Sequence, residues 1–492
     1  MASDQNAQAG AEAQLPSPLS PDVESRPGLL RALGPGMAVA IVVGNVIGSG
    51  IFAKPGKIAA DGGDFPLIIS AWVIGGLICF LGALCYAELA AMLPRAGGTY
   101  VYLREAYGRP TAFLFGYTDF LFARPASVGA LSVIFVGSLS QVIEEPFNPF
   151  WQVALCLMLI AFLGWVNIIG VIWGGRMQGG TTVLKAGFLA LVALLPVIVW
   201  LSGRESGSWE NYSTSVTPSE SSLSTRFALV LLAIMWAYNG WNHVTPVAEE
   251  IREPHRNIPL ALFAGIAILI VLYVSANLAY HAVLPMSQIR AAGDHAAEDV
   301  VKALLGSGGS KMMSVGIMLS TFGAINANML LGPRVSFAMG RDDLFFRSLG
   351  RVHVNYRTPA VAILVQMVMA AGLVIGSAVF VSAVEGFEDT TVFDLLTDYV
   401  IFSSSIFFML TVLSVFVLRR LHPDWERPYR TWGYPVVPLV YVLFYVWFLF
   451  NVYQQKPTEA NIGLGLIALG LPLYYAWRAW AARHPEVMHD GQ

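Results

Sequence analysis

The stretch Gly48-Ser49-Gly50-Ile51-Phe52 interrupts an apolar segment, residues 36–64, that is otherwise long enough to cross a membrane. Helix-breaking residues at bilayer depth leave backbone N–H and C=O groups unpaired, which hydrocarbon does not tolerate. Such a break persists only where protein shields it or where it lines a wet cavity. In transporters, broken helices at this depth hold the substrate, so this stretch is the first candidate for a binding site.

The composition indicates a membrane protein along the whole chain. Of the 492 residues, 56% are hydrophobic and only 12% are charged, whereas soluble domains have roughly 25% charged residues. Apolar stretches of about 20 residues, each able to span a bilayer, recur from end to end. The sequence therefore predicts an all-α polytopic membrane protein without a large soluble domain. The net charge of −3 gives no indication of a nucleic acid partner.

The cysteines and the chain ends carry little chemistry. Cys79, Cys85 and Cys156 lie inside apolar spans without the spacing of metal ligands, so they are interpreted as small core residues. The sequence predicts no metal and no cofactor. Residues 1–35 are rich in Ala, Ser, Pro and Gln and predict a disordered tail rather than a signal peptide, and residues 484–492 predict a second short tail.

Twelve membrane spans are predicted, and charge gives their orientation. The connections after odd-numbered spans are acidic and those after even-numbered spans are rich in arginine, so both termini are predicted to be cytoplasmic, in a multi-pass protein of the cell membrane. The spans cover residues 36–64, 67–93, 111–141, 150–171, 179–201, 224–250, 258–284, 311–341, 358–380, 393–418, 434–454 and 460–483.

A second break lies in span 6, at Trp236-Ala237-Tyr238-Asn239-Gly240-Trp241-Asn242-His243. It comes about as far into span 6 as the first break comes into span 1. Spans 1–5 (residues 36–201) and spans 6–10 (residues 224–418) each hold five helices, so the two sets have opposite topologies. Paired breaks in two inverted halves indicate a transporter binding site. Spans 11 and 12, residues 434–483, fall outside the repeat.

The two breaks offer both halves of an amino acid site. Gly44 and Gly48 could serve helix packing as a GxxxG pair. Alternatively, bare N–H groups at Gly48-Ser49-Gly50 would bind a carboxylate at the start of the following half-helix. Freed carbonyls around Ile47, and others near Trp236 and Ala237, would accept from an ammonium group. Carboxylate and ammonium together describe an α-amino acid.

Four other residues leave alternatives open. Trp236 is either an aromatic of the lipid interface or, as favoured here by its depth, a lid over the pocket. Lys185 either snorkels to the surface or is a fixed cation that replaces a sodium ion bracing span 1. Glu88 pairs with basic residues or serves a gate. Arg124 is expected to bind carbonyls or an acid of another helix, because Asp119 lies five residues away.

A connection between spans 2 and 3 mixes aromatic and charged residues. Residues 94–110 are interpreted as containing a short helix that lies in the membrane interface on the cytoplasmic side.

Several segments, in order from span 1 to span 8, match one known family. They resemble the L-type amino acid transporters, within the amino acid–polyamine–organocation superfamily, while spans 9–12 match in pattern only. The segments are Val43-Gly44-Asn45-Val46-Ile47-Gly48-Ser49-Gly50-Ile51-Phe52, Tyr86-Ala87-Glu88-Leu89, Pro94-Arg95-Ala96-Gly97-Gly98-Thr99-Tyr100, Arg124-Pro125-Ala126, Trp236-Ala237-Tyr238-Asn239-Gly240-Trp241-Asn242, Glu249-Glu250-Ile251, Arg256-Asn257-Ile258-Pro259 and Leu319-Ser320-Thr321-Phe322-Gly323.

The resemblance implies a LeuT-like fold, a 5+5 inverted repeat with helices 1 and 6 broken at mid-membrane, and amino acid transport, commonly by sodium-independent exchange. It implies that Ser49 and Gly50 bind the substrate carboxylate, that the carbonyls of Ile47 and Trp236 bind its amine, and that Trp236 is the gate. The substrate site expected from the breaks and the resemblance together comprises Ile47, Ser49, Gly50, Ile51, Trp236, Ala237, Asn239 and Asn242.

Three further implications follow from the same resemblance. Lys185 matches the lysine of the sodium-site region, and the neutral Asn239 stands where side-chain preference varies, which favours neutral amino acids. The loop 141–149 lacks the cysteine by which animal relatives bond a heavy subunit. No disulfide-linked partner is therefore expected, and the sequence indicates a stand-alone, prokaryotic carrier of L-amino acids in a lipid bilayer.

Three other functions compete with an exchanger. A proton-coupled symporter of the same fold would titrate Lys185 or Glu88, and an amino acid sensor would show the same breaks without moving substrate. A membrane enzyme such as an acyltransferase would need a buried histidine with a nucleophilic or acidic partner. His243 and His281 are the histidines near membrane depth, and neither forms such a pair in the sequence, so no enzyme is expected.

Overall fold

Helices make up almost all of the described chain. The computed structural model describes residues 31, 33–169, 171–220, 222–353, 356, 358–383 and 392–483, and for residues 171–177 it gives the backbone alone. The predicted tail 484–492 and residues 1–30 of the predicted N-terminal tail lie outside the described residues.

The α-helices are numbered here in chain order. They are α1 (Pro35–Val46), α2 (Gly50–Ala53), α3 (Pro55–Gly62), α4 (Phe65–Met92), α5 (Thr99–Tyr107), α6 (Arg109–Thr118), α7 (Arg124–Ile143), α8 (Pro149–Ile169), α9 (Val171–Leu201), α10 (Leu223–Tyr238), α11 (Pro254–Val283), α12 (Met286–Ala292), α13 (Ala296–Leu305), α14 (Ser307–Leu331), α15 (Pro333–Arg341), α16 (Ala360–Ala383), α17 (Val392–Leu421), α18 (Val436–Gln455) and α19 (Pro457–Arg483).

The helices agree with the predicted spans. Within the described residues, 11 segments are long and apolar enough to cross a membrane, and they coincide with predicted spans 1–5 and 7–12. The remaining span, 224–250, contains the shorter apolar helix α10, which has 16 residues. The predicted all-α polytopic architecture, with spans 1 and 6 interrupted, is confirmed.

Both breaks have the backbone conformation that frees polar groups. Helix α1 ends at Val46, Ile47 is extended, and the helical turn α2 starts at Gly50. Helix α10 ends at Tyr238, Asn239 is extended, and Gly240 has a φ of +99°. A Cβ on Gly240 would collide with the Asn45 side chain at 2.1 Å, so glycine fits both the backbone and the space.

The loops gather on two opposite sides of the bundle. On one, called here the terminus side, the Leu33 N–H donates to Glu250 (3.0 Å), next to the start of α1, and the Gly97 N–H donates to Pro246 (3.2 Å). On the other, called the loop side, the Val216 N–H donates to the Gly63 carbonyl at 2.9 Å. The loop side also carries α12 and α13, which the sequence reading did not predict.

The prediction for the connection between spans 2 and 3 is partly wrong. Helix α5 forms there, but Tyr100, Val101, Tyr102 and Leu103 on it are buried. The helix packs against α6 and α17 on the terminus side. It is therefore part of the protein core rather than a helix lying in the lipid interface.

The expected partner of Arg124 is also wrong. Its Nε donates to both carboxylate oxygens of Asp119, each at 3.1 Å. A π-helical segment covers Asp119–Ala123 between α6 and α7. Because a π-turn bonds residues five apart instead of four, it brings Asp119 and Arg124 onto one face, which an α-helix would not do.

Glu88 is a structural anchor on the terminus side of the bundle. Its carboxylate, 1% exposed, accepts from Arg419 Nε (2.8 Å) and Nη2 (2.7 Å) and from the Thr431 backbone N–H (2.7 Å). Arg427 lies 3.6 Å away. The group fastens α4 to α17 and to the loop before α18, which favours the structural interpretation of Glu88 over a gate.

Replacing Glu88 with Gln should lower the free energy of unfolding by about 3 kcal/mol, because breaking a buried ion pair leaves a charge uncompensated. The matched control is Glu144→Gln, since Glu144 pairs with Lys311 at 2.8 Å while both side chains are exposed. Such pairs contribute about 0–1 kcal/mol. Thermal unfolding in detergent, with both variants measured together, tests this. Equal stabilities would contradict the anchoring role.

Candidate substrate site

A cavity lies between the two helix breaks. Both breaks contribute to its wall, and spans 3 and 8 close it from the side. The residues that line this central cavity are Asn45, Val46, Gly48, Ser49, Gly50, Ser127, Leu131, Trp236, Asn239, His243, Ala324 and Asn328.

The structure places the predicted site residues in three groups. Ser49, Gly50, Trp236 and Asn239 line the central cavity. Ile47, Ile51 and Ala237 lie behind its wall, where they are almost completely buried. Asn242 lines a neighbouring cavity on the terminus side instead.

The carboxylate half of the expected site is arranged around Ser49. The first N–H groups of a helix have no partner within it, and α2 begins at Gly50 on the cavity wall. The Trp236 indole Nε1 donates to the Ser49 hydroxyl oxygen at 3.1 Å. The hydroxyl therefore keeps its own hydrogen for a ligand, and backbone and side chain together present donors.

In the part of the site expected to bind the substrate amine, the backbone carbonyl of Ile47 already accepts hydrogen bonds from the protein. This carbonyl accepts from Lys185 Nζ at 3.0 Å. The one hydrogen of the Ser320 hydroxyl is shared between the Ile47 and Gly48 carbonyls, each at 3.2 Å, so the Ile47 carbonyl is already engaged within the protein. The Ala237 carbonyl accepts from the Tyr273 hydroxyl at 3.0 Å. The Trp236 carbonyl accepts from the Asn239 N–H at 3.1 Å, which leaves one of its lone pairs for an ammonium group.

Lys185 points into the bundle and not toward the membrane surface. The residue is 1% exposed, and its Nζ donates to the carbonyls of Gly44 (2.9 Å) and Ile47 (3.0 Å) at the end of α1. A Cβ on Gly323 would lie 2.7 Å from the Lys185 Cε, so a glycine on α14 makes room for the side chain. The ammonium group thus joins α9 to the first break.

Trp236 lines the central cavity and contacts an aromatic ring of α17. Its ring meets Phe393 edge-on, with the ring centres 6.0 Å apart. The Lys54 ammonium lies 4.3 Å from the centre of the Phe393 ring and 2.5 Å from Asp394. Sequence reasoning missed Lys54, Phe393 and Asp394, because no local pattern shows that α17 reaches the first span here.

One acidic group near Lys54 and Asp394 has a raised pKa. Asp294 lies in the loop-side turn Gly293–His295, outside the membrane spans. Burial raises the pKa of Asp294 to about 6, with a further rise from Asp394 and an opposing effect of Lys54. The raised pKa brings the titration of Asp294 closer to physiological pH than that of an ordinary aspartate.

A buried polar chain connects span 3 to both breaks. Arg124 Nη1 lies 3.0 Å from His243 Nδ1, and Asn45 Nδ2 lies 2.5 Å from the same nitrogen. Asn45 Nδ2 also donates to the Gly240 carbonyl at 3.2 Å. Since both neighbours are donors, Nδ1 accepts and carries no proton. His243 is therefore neutral, with its proton on Nε2.

The sequence pattern of the amino acid permease family matches residues 33–471, which carry both breaks, the Lys185 contacts and the central cavity. The chain belongs to this family. It is therefore an amino acid transporter, and the resemblance found in its segments is confirmed.

Within the described residues, no three His, Cys, Asp or Glu side chains come together as a metal site would require.

Three relatives illustrate the similarity. The serine/threonine exchanger SteT of Bacillus subtilis is 32% identical over 92% of this chain and 98% of its own length. The mouse large neutral amino acids transporter small subunit 2 is 29% identical over 96% of this chain and 87% of its own length. The mouse Asc-type amino acid transporter 1 is 29% identical over 94% and 84%, respectively.

Replacing Gly50 with Ala should separate the two breaks, because the new Cβ would lie 2.4 Å from the Ala237 Cα, which is backbone and cannot yield. We expect a loss of about 1–3 kcal/mol in stability and at least ~10-fold weaker amino acid binding, since 1.4 kcal/mol corresponds to a factor of 10.

The matched control for this change is Gly465→Ala, on α19. Its Cβ would meet nothing within 4 Å, and the residue lines neither cavity. Thermal unfolding and titration with amino acid compare the two variants. If Gly50→Ala binds as well as Gly465→Ala, the close packing of the breaks does not support the site.

Proposed function

We propose that the protein exchanges neutral amino acids across the cell membrane by alternating access, without sodium. The observation that carries the proposal is the Lys185 ammonium group, which donates to Gly44 and Ile47 at the first break. A protein-bound cation supplies the positive charge that a sodium ion would bring. Because it is covalently attached, it cannot be transported with the substrate.

The proposed binding mode uses both breaks. The substrate carboxylate binds the Ser49 hydroxyl and the N–H groups at Gly50 and Ile51. The amine binds the remaining lone pair of the Trp236 carbonyl, and Ile47 braces the site through Lys185 instead of contacting the amine. Helix-start donors favour an anion and helix-end acceptors favour a cation, so the two ends of a zwitterion are oriented between the breaks.

Neutral side chains suit the rest of the cavity. Ser127, Asn239 and Asn328 line it, and these groups hydrogen-bond to polar side chains without requiring a charge. The relatives named for serine and threonine or for large neutral amino acids support this substrate class. Asn239 stands at the second break and is proposed to contact the substrate side chain.

The proposed transport cycle moves the broken helices against the rest. Opening to the loop side requires that Lys54 leave Asp394 and that Trp236, the proposed gate, swing away from Ser49. Opening to the terminus side requires separation of the loop at Gly97 from Pro246. Because the carbonyls of the first break remain bound to Lys185 and Ser320, the first break can move during the cycle without losing its internal arrangement.

The proposed orientation puts both termini in the cytoplasm. Arginines concentrate on the terminus side, where Arg334 pairs with Glu250 and Arg341 with Glu249, as the positive-inside rule requires of cytoplasmic loops. The loop 141–149 contains no cysteine, so the carrier is proposed to function without a disulfide-linked heavy subunit.

Uptake into proteoliposomes tests exchange against the alternatives. Labelled neutral amino acid should enter vesicles loaded with unlabelled amino acid, in the absence of sodium and of a pH gradient. Empty vesicles should take up little. Uptake into empty vesicles driven by external acid would replace exchange with proton symport, and binding without any uptake would indicate a sensor.

Replacing Lys185 with Ala should reduce exchange at least ~10-fold, because each lost charge-assisted hydrogen bond contributes about 1.5–3 kcal/mol. Lys311→Ala is the matched control, since Lys311 is exposed and pairs only at the surface with Glu144. Initial exchange rates are compared at equal amounts of reconstituted protein. Near-normal exchange by Lys185→Ala would contradict the bracing role.

A further inference from the structure

A second cavity lies on the terminus side of the central cavity. The two cavities share Ser127, Asn239 and His243 in their walls. The second one extends from there to Gly97 and Pro246, whose backbones are hydrogen-bonded at 3.2 Å. It therefore occupies the path between the central site and the proposed cytoplasmic side.

Two polar atoms in this cavity wall lack a partner. The Thr118 hydroxyl oxygen and the Asn242 Oδ1 are fully buried, and neither forms a hydrogen bond with the described residues. The two residues are 2% and 5% exposed, respectively. Leaving such groups unsatisfied destabilises the folded protein, so both positions call for a polar ligand.

An ion pair stands in the same wall. Arg124 is 4% exposed, and Asp119 accepts from its Nε at 3.1 Å. Arg124 uses Nη1 toward His243, and within the described chain Nη2 is left as a donor for a ligand. Asp119 retains acceptor capacity, since an ionised carboxylate has about four lone-pair positions.

We propose that this cavity is a second amino acid site. The ligand carboxylate binds Arg124 Nη2 and the Thr118 hydroxyl, and its ammonium group binds Asn242 Oδ1 and the Asp119 carboxylate. The ligand would thus supply hydrogen-bond partners to the unpaired Thr118 hydroxyl and Asn242 Oδ1. It would also bind the unused donor of Arg124 and an unused acceptor position of Asp119. A zwitterion fits because it carries no net charge and so leaves the buried Arg124–Asp119 pair neutral overall, whereas a ligand with a single charge would add an uncompensated charge to the cavity.

The identity of the ligand rests on the proposed function. An amino acid that arrives from the cytoplasm would occupy the second site while another amino acid is still bound in the central site. His243 stands in both walls and is held neutral by Asn45 and Arg124. A ligand can therefore pass it without crossing an additional positive charge.

Binding stoichiometry tests the second site. Equilibrium dialysis of the purified full chain with labelled serine should give two bound molecules per chain, and Thr118→Val should give one, with the affinity of the remaining site changed less than twofold. Thr411→Val is the matched control: Thr411 is buried, its hydroxyl donates to the Phe407 carbonyl of its own helix at 2.7 Å, and it lines neither cavity. It should bind two.

Competition identifies the ligand chemistry. N-acetylserine lacks the ammonium group and serine amide lacks the carboxylate, so neither should displace serine from the second site at a 100-fold excess. Displacement by N-acetylserine alone would replace the zwitterion site with a site for carboxylates and overturn the proposal.

The remaining outcomes separate this inference from the proposed function. One serine per chain in the wild type, unchanged in Thr118→Val, with normal exchange in vesicles, would show that the second cavity holds only water. That result would overturn the second site and leave the exchanger standing. No bound serine and no exchange would overturn both. A Thr118→Val variant that unfolds at a lower temperature than Thr411→Val is replaced by Asn242→Leu, for which the same loss of one site is expected.

Discussion

The structure depends on how backbone groups at the two helix breaks are satisfied inside a membrane. Each break frees polar groups that lipid cannot solvate. At the first break, Lys185 and Ser320 donate to the exposed carbonyls. The one hydrogen of the Tyr273 hydroxyl is shared between the carbonyls of Val46 and Ala237, across the gap between the breaks. These donors come from spans 5, 7 and 8, so the packing of the whole bundle follows from the need to supply them.

The charged residues obey the same constraint at a higher cost. An unpaired charge at bilayer depth is expensive. Three ion pairs meet this constraint, Arg124 with Asp119, Lys54 with Asp394 and Glu88 with Arg419, whereas the Lys185 ammonium group is held by carbonyl oxygens. The three ion pairs lie in different parts of the bundle and have different roles. One lies at the cavities, one closes the loop side, and one fastens the terminus side.

Much of the architecture could be predicted from the sequence. The two breaks show as glycine and polar residues within apolar spans, and span length and charge asymmetry do not depend on tertiary contacts. The Asp119–Arg124 pair could not be predicted, because it depends on one π-turn that has no clear sequence signature. Nor could the occupied carbonyl of Ile47, since Ser320 lies 273 residues further along the chain.

The sequence could indicate which segments lie near the cavities, but not which residue lines which cavity. Ser49, Gly50, Trp236 and Asn239 line the central cavity, whereas Asn242, only three residues beyond Asn239, faces the second cavity. The extended backbone at Asn239 and the positive φ of Gly240 change the direction of successive side chains. Helical spacing therefore does not apply across a break, and neighbours in sequence can serve different cavities.

The covalent attachment of the Lys185 ammonium group has a consequence for the cell. Because the positive charge at this position never leaves the protein, no ion gradient can drive transport through it. If each inward passage also requires an outward one, the total number of amino acid molecules on either side stays constant. Such a carrier can alter which amino acids a compartment contains, but net accumulation must come from other transporters or from metabolism.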